Sequence, residues 1–429
     1  MQFTRSFASV TPAHGVPAGV RGTCPGAFAP MASGDGWLIR LRTSARALDS
    51  ETLRELARLA HEHGTGIIEL TRRANLQLRG LRLERMPELR SELIALRLVD
   101  ESPKREARPG LVVDPVAAID PQSAFSELAS LLDAALAELA ADGGKLPAKL
   151  GVVLDGGSGS VSNVDADIRI VAFGAATRLQ VYVGTRGKEQ LIFECERTAA
   201  PTLLQKLLAQ LAAFGGGRMS DLVATRGLAG LRAAVGASPA PAVSWIAAPP
   251  RAALGFHHGW FGVAVPFGSA PSEQWLAIAD LAERFGDSAL RFSPAREVLI
   301  TGVRAERASE LADVARALGL IVEANDPRRR ILACSGAPAC SSAHGETRAL
   351  ASTLALQVSQ LLAAGATLHV SGCEKGCASR AAAELNVVLA PDGCARLALN
   401  ADIAATSSVA PEPLAVVSKQ IVDLCRRST

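Results

Sequence analysis

Gly36-Trp37-Leu38-Ile39-Arg40-Leu41 and Gly259-Trp260-Phe261-Gly262-Val263-Ala264 are strand-like runs that each open on Gly-Trp, and the segments after them resemble each other. After the first comes a helical stretch with Ser50 at the N-cap and Leu53, Leu56, Ala57 and Ala60 on one face, stopped by Gly64. Ile67-Ile68-Glu69-Leu70-Thr71 then leads to Leu78-Arg79-Gly80. After the second comes a helix with Trp275, Ile278, Ala282 and Phe285 on one face and Gly286 at its end, and then Val298-Leu299-Ile300-Thr301-Gly302. Strand–helix–strand units are common, so such a likeness can arise by chance. The shared Gly-Trp openings, the shared closing glycines and the equal span of 71–80 and 293–302 favour an internal repeat.

Outward from these units, each half continues into mixed structure. Helical spacing covers 124–139 and 201–214 in the first half and 346–362 in the second. Strand patterns cover 150–154 and 168–173, then 367–370 and 386–389. The Pro- and Ala-rich stretch 236–250 reads as the linker between halves. Pattern alone allows either α/β or α+β.

Composition narrows the function. The chain has 429 residues, 20% of them charged, and a formal net charge of +3, which gives no argument for nucleic acid. The apolar run 349–370 is broken by Ser352, Thr353, Gln357, Ser359, Gln360 and Gly365, so it reads as a helix, a turn and a strand, with no membrane span expected. Residues 1–20 lack a secretory pattern, and a cytoplasmic setting is expected.

Eight cysteines are present, and four fall in two close pairs. Ala333-Cys334-Ser335-Gly336-Ala337-Pro338-Ala339-Cys340 carries one pair and Ser371-Gly372-Cys373-Glu374-Lys375-Gly376-Cys377-Ala378 the other. Thiolates are soft ligands for iron–sulfur clusters or zinc. Gly336, Pro338, Gly372 and Gly376 supply turns that let backbone N–H groups approach the sulfurs. Structural zinc uses tighter pairs than the first one here. Spacing favours a cluster and leaves structural zinc, or four unrelated buried cysteines, open. Cys24, Cys195, Cys394 and Cys425 have no partner in sequence.

The Cys-x5-Cys and Cys-x3-Cys arrangement resembles the cluster motif of the nitrite/sulfite reductase family. Cys24-Pro25-Gly26, Ser33-Gly34-Asp35-Gly36, Thr71-Arg72-Arg73-Ala74-Asn75-Leu76-Gln77-Leu78-Arg79-Gly80 and His369-Val370-Ser371-Gly372 before the last pair add to the likeness, which runs from about 21 to about 397. The resemblance implies an α+β fold of two pseudo-repeated halves, each a ferredoxin-like strand–helix–strand unit followed by a mixed α/β domain. The half domains are expected at 20–95 and 251–320 and the reductase-like domains at 105–232 and 325–425. It also implies a [4Fe–4S] cluster on Cys334, Cys340, Cys373 and Cys377, the last of which can ligate a sirohaem iron in the family.

Lys375 makes the likeness closer to one branch, the oxygen-dependent monooxygenases that hydroxylate a precorrin and close a ring lactone in cobalamin biosynthesis. The reductases often carry Asn there. Ser379-Arg380 departs from the His-Pro expected in that branch. The implied runner-up is a sirohaem sulfite or nitrite reductase. A zinc-stabilised binding protein without catalysis is the reading from a different class. A mononuclear iron or a sirohaem beside the cluster is compatible with the leading reading. No dinucleotide fingerprint is visible, and Asp155-Gly156-Gly157-Ser158-Gly159-Ser160 reads as a turn. NADH would therefore serve indirectly, through a separate electron-donating reductase.

A tetrapyrrole substrate carries many carboxylates, which guanidinium groups bind through paired hydrogen bonds. Strand spacing puts Arg40 and Arg42 on one face, and Arg73, Asn75, Gln77 and Arg79 on another. On the residues alone, a solvated outer strand face fits as well. The resemblance makes Arg40, Arg42, Arg72, Arg73, Gln77 and Arg79 substrate-binding candidates, with Lys149 added from a Pro-x-Lys likeness. The matching positions in the second repeat, Ala295, Leu299 and Thr301, lack these donors. One binding face built mainly from the first half is expected. His257 and His258 precede the second repeat and read as structural or solvated rather than as iron ligands.

Overall fold

The computed structural model describes residues 25–143, 146–147, 149–185, 188–215, 217–238, 248–363, 365–379 and 381–427. Cys24, Ala148, Arg380 and most of the expected linker lie outside them, as does the side chain of Cys425.

The first half contains β1 (Met31–Ser33), β2 (Gly36–Leu41), β3 (Leu48–Asp49), β4 (Ile67–Leu70) and β5 (Leu76–Leu81). It continues with β6 (Gly110–Val113), β7 (Gly151–Asp155), β8 (Ile168–Phe173), β9 (Arg178–Val183) and β10 (Gln190–Glu196). The second half repeats the series with β11 (Gly255–His257), β12 (Gly259–Ala264), β13 (Ser269–Pro271), β14 (Ala289–Phe292) and β15 (Glu297–Val303). Then come β16 (Ile331–Ala333), β17 (Leu368–Ser371), β18 (Ala383–Leu389), β19 (Cys394–Ala401) and β20 (Glu412–Pro413).

The four sheets come in matching pairs, which gives the α+β architecture of two pseudo-repeated halves. One pair has the orders β1-β2-β5-β4-β13 and β11-β12-β15-β14-β3. Each half lends the short strand before its own helix to the edge of the other half's sheet. Asp49 pairs with Ala289 and Leu48 with Leu290, while Ser269, Ala270 and Pro271 pair with Glu69, Ile68 and Ile67.

Two amphipathic helices, Ser50–His63 and Ser272–Phe285, pack against each other under these sheets and share one apolar core. Trp275, fully buried at its centre, donates its indole N–H to the Ile68 carbonyl at 3.2 Å, so the second half's helix is tied to the first half's strand. The cap of the first helix lies one residue earlier than the sequence pattern suggests. Asp49 accepts from the Thr52 N–H at 2.6 Å, while the Ser50 N–H goes to the Ser288 carbonyl at 2.8 Å. Lending β3 to the other half sets that boundary.

The other sheets, β6-β7-β8-β9-β10 and β16-β17-β18-β19-β20, share one topology: the first three strands are parallel and the last two turn back antiparallel. A helix crosses between the first two strands in each, Ala124–Ala141 in one and Thr347–Gln357 in the other. The loops leaving β16 and β17 carry the paired cysteines. The matching loops leaving β6 and β7 are stitched together by Asp114, whose carboxylate accepts from the Val116, Gly156 and Ser158 N–H groups and the Ser158 hydroxyl. Asp155 is buried against Arg169 at 3.0 Å, so the Gly-rich stretch after it is a turn held from within.

The two hairpin tips are superposable in their bonding. Thr71 N–H meets the Asn75 carbonyl at 2.9 Å and Ser293 N–H the Glu297 carbonyl at 2.9 Å. The left-handed residue falls at the same place in both, Ala74 (φ 53°) and Arg296 (φ 64°).

Candidate cluster site and its arginine cleft

Cys334 directly follows β16 and Cys373 lies two residues beyond β17, so both leave the carboxyl ends of adjacent parallel strands. Cys340 and Cys377 return on the same two loops. Every one of the four is a free thiol; three are half-buried and Cys377 is exposed. Burial pushes the Cys377 thiol up, and Cys334, Cys373 and Cys340 push it further, with Lys375 opposing. Cys377 thus lies within electrostatic reach of the other three sulfurs.

The loops hold the thiols in place through their backbones. The Gly372 N–H donates to Cys334 Sγ at 3.2 Å, the kind of bond that tunes a sulfur-ligated centre. The Thr347 hydroxyl caps the Cys334 carbonyl at 2.7 Å, the Cys340 N–H bonds the Gly336 carbonyl at 2.7 Å, and His344 N–H bonds the Gly372 carbonyl at 2.8 Å. Lys375 donates to Ser342 Oγ at 2.7 Å and so bridges the two cysteine loops. Four free thiols with an N–H on sulfur and no disulfide among them fit a [4Fe–4S] cluster as donor set.

Beside Cys377 opens a cleft of about 570 Å³ lined by Arg72, Lys375, Gly376, Cys377 and Ser379. Of the arginines read from sequence, only Arg72, at the exposed tip of the β4–β5 hairpin, lines it. Arg73 is half-buried beside the start of β7, donating to the Asp165 carbonyl at 3.3 Å. Lys149 is exposed two residues before β7.

Three candidates need correcting. Arg79 is 4% exposed, and its donors go to Asp35, Glu69, Ser33, Ser335 and the Ala339 carbonyl, which leaves none for a substrate. Gln77, equally buried, donates to Glu69 at 2.5 Å and accepts from Arg40 Nε at 2.8 Å. Arg42 is held by Glu106 at 2.6 Å, away from the cleft lining. Strand alternation placed these groups on common faces, but both faces of β5 are covered, and all six of its residues are buried.

The loop between Cys334 and Cys340 covers Arg79. Arg79 Nη2 and the Gly34 N–H both donate to the Ala339 carbonyl, at 2.6 and 3.2 Å. Gly34 must be glycine, because a Cβ there would lie 2.3 Å from the Pro338 carbonyl oxygen. The Ser33-Gly34-Asp35-Gly36 turn is therefore a dock for the loop between Cys334 and Cys340.

Sequence reasoning missed three groups. Glu69 is buried, and burial pushes its carboxyl up, but Arg348 (2.6 Å) and Arg79 (3.3 Å) outweigh burial and hold it below its ordinary value. Arg348 reaches it from the helix after the first cysteine loop and also bonds Ser269 at 2.9 Å. The third, Arg296, comes from the second half's hairpin tip. A charged Glu inside an apolar strand was the one available signal. His257 stacks on Trp260 at 3.9 Å between ring centroids and bonds the Leu254 carbonyl, a structural role.

Residues 29–96 and 257–318 both match the family described as nitrite/sulfite reductase ferredoxin-like half domain. The chain is 32% identical over 382 residues to a precorrin-3B synthase of Sinorhizobium sp, covering 87% of this chain and 82% of that one. It is 26% identical over 393 residues to the ferredoxin–nitrite reductase of Synechococcus elongatus, covering 82% and 76%. With sulfite reductase [ferredoxin] 1 of Mycolicibacterium paratuberculosis it shares 23% over 386 residues, covering 80% and 68%. Among solved structures, the Mycobacterium tuberculosis NirA protein superposes with a TM-score of 0.66 at 21% identity, covering 85% of this chain and 74% of that one, a likeness of fold.

Proposed function

The chain belongs to the nitrite/sulfite reductase family, and we propose that it works as its precorrin-3B synthase relative is named to work. It is then an O₂-dependent monooxygenase that hydroxylates precorrin-3A and closes a ring lactone in aerobic cobalamin biosynthesis. The identity of 32% over 87% of the chain supports this branch over the reductases, at 26% and 23%. The observation that carries the reading is the set of four free thiols on the loops leaving two adjacent parallel strands, one of which, Cys377, lines a cleft together with Arg72.

Cys334, Cys340, Cys373 and Cys377 hold the cluster in this reading. When bound, a [4Fe–4S] cluster supplies single electrons, which a monooxygenase needs to reduce the second oxygen atom of O₂ to water. The chain's own residues do the rest. Arg72, Arg73 and Lys149 present cationic donors to the carboxylates of the macrocycle. Arg79, Asp35 and Glu69 fix the cysteine loop against the first half. Arg40 acts through Gln77 and Glu69 on that same network. A sirohaem or mononuclear iron beside Cys377 would share the cleft, and electrons would come from a separate reductase drawing on NADH. A cytoplasmic setting, where thiols stay reduced, suits the four free thiols. No helix among the described residues is long and apolar enough to cross a membrane.

The test is protein purified without oxygen, assayed for iron and sulfide, then given precorrin-3A, a reductant and O₂. The expected result is roughly four iron and four sulfide per chain and a product heavier by one oxygen atom. Replacing Cys373 with Ser should remove iron and activity together; an active, iron-free variant refutes the reading. A strong haem band with sulfite or nitrite turnover would assign the chain to the sirohaem reductases instead.

A further inference from the structure

Arg296 belongs to the second half, whereas the binding face was expected mainly from the first, yet its side chain reaches across to that half. It crosses Gly268, where a Cβ would meet Arg296 Cδ at 2.4 Å and the Leu70 carbonyl oxygen at 2.6 Å. Leu70 ends β4, one residue before the tip that carries Arg72. Arg296 is half-buried as a residue, and its guanidinium lies close enough to Arg348, Arg72 and Glu69 for each to act on it.

The charge around it is unbalanced. Among the described residues, neither Arg296 nor Arg72 has a side-chain hydrogen bond or ion pair with the protein. Glu69, the carboxylate that acts on Arg296, is already committed to Arg348, Arg79 and Gln77. Burial brings the Arg296 guanidinium down to about 10, with Arg348 and Arg72 pushing the same way and Glu69 opposing. Two like charges held near each other without a counter-ion are costly unless an anion joins them. The backbone adds a second cost, because Arg296 sits in the left-handed region (φ 64°), where a side chain is disfavoured. Its counterpart in the first tip is Ala74, which carries no charge.

We propose that Arg296 and Arg72, one from each half's hairpin tip, form a clamp for one carboxylate of the tetrapyrrole, next to the cleft that Arg72 lines with Cys377. The inference rests on the tetrapyrrole reading above. A guanidinium pair suits a planar carboxylate because each offers paired donors. The substrate then spans the pseudo-symmetry axis and is oriented by both halves.

The experiment measures fluorescence quenching of uroporphyrin III, an octacarboxylate tetrapyrrole, on anaerobically purified holoenzyme. Arg296→Gln and Arg72→Gln should each weaken binding by about 10–100-fold, the scale of a lost charge-assisted hydrogen bond. Arg316→Gln, on a surface helix and paired with Asp313 and Glu323, should leave binding unchanged. Arg296→Gly separates binding from folding, since it relieves the left-handed strain. It should weaken binding equally with a Tm no lower than wild type. Wild-type affinity in both Arg296 variants overturns the clamp while leaving the functional reading intact. Wild-type protein that binds no uroporphyrin III overturns both. Sulfite that displaces the porphyrin only through Arg72 and Arg296 supports the anion site, whereas sulfite binding without porphyrin binding overturns the assignment to a tetrapyrrole carboxylate.

Discussion

Replacing Arg79 with Met tests whether this arginine holds the cysteine loop or merely fills space. Its side chain is 4% exposed and faces Asp35, at 10%, and Glu69, at 8%. Glu69 would keep Arg348 at 2.6 Å and the Gln77 amide. Asp35 would keep nothing: among the described residues both its carboxylate oxygens bond only Arg79, at 3.2 Å each. Removing one partner of a buried ion pair costs about 3–5 kcal/mol, because the remaining charge stays desolvated. The lost bonds to Ser33 and to the Ala339 carbonyl fall within that range, and they also release the segment between Cys334 and Cys340. Urea unfolding followed by circular dichroism should therefore show a loss of about 3–5 kcal/mol, and the iron:protein ratio after desalting should drop. The double variant Arg79→Met/Asp35→Leu should recover part of the stability but not the iron, since the loop stays unpinned. A single variant that loses under about 1 kcal/mol and keeps its iron refutes the reasoning. So does a double variant no more stable than the single one.

Gly34→Ala should be destabilising by about 1–3 kcal/mol, the range for overpacking, because the new Cβ meets the Pro338 carbonyl oxygen at 2.3 Å and the Ser341 nitrogen at 2.7 Å. A shift of the cysteine loop in the variant's spectrum should accompany it, and an unchanged urea midpoint would show that the dock is loose. Burial holds the His369 imidazole below its ordinary 6.5, with Asn386 opposing. The unfolded chain then takes up a proton near pH 6.5 while the folded one does so only at lower pH, so stability falls as pH drops below about 6.5. His369→Gln should flatten that slope, which for one proton is at most about 1.4 kcal/mol per pH unit; an unchanged slope places the titration elsewhere.

Much of this was legible in the sequence because local chemistry is repeated. The Gly-Trp openings and the equal spans 71–80 and 293–302 mark two hairpins that do carry the same turn, down to the left-handed residue. The cysteine spacing marked two loops that do lie side by side, because β16 and β17 are parallel neighbours. What stayed hidden depends on partners distant in sequence. Strands of two and three residues, β3 and β13, have no periodicity to read, so their exchange between halves left no trace. Arg79 and Gln77 were placed on the right strand and given the wrong role, since alternation shows which way a side chain faces but not what covers it. Arg296 was read past because its counterpart in the first tip is an alanine.

The exchanged strands also set a clock on synthesis. β4 has no neighbour on its outer edge until Ser269–Pro271 has been made, about 200 residues later, which at typical translation rates is roughly 10–40 s. During that interval the nascent first half carries an open strand edge next to apolar Ile68 and Leu70, a template for pairing with other chains. Overexpression should therefore favour aggregation that slower translation relieves, and a helper that shields strand edges would act on the half-made chain rather than on the finished protein.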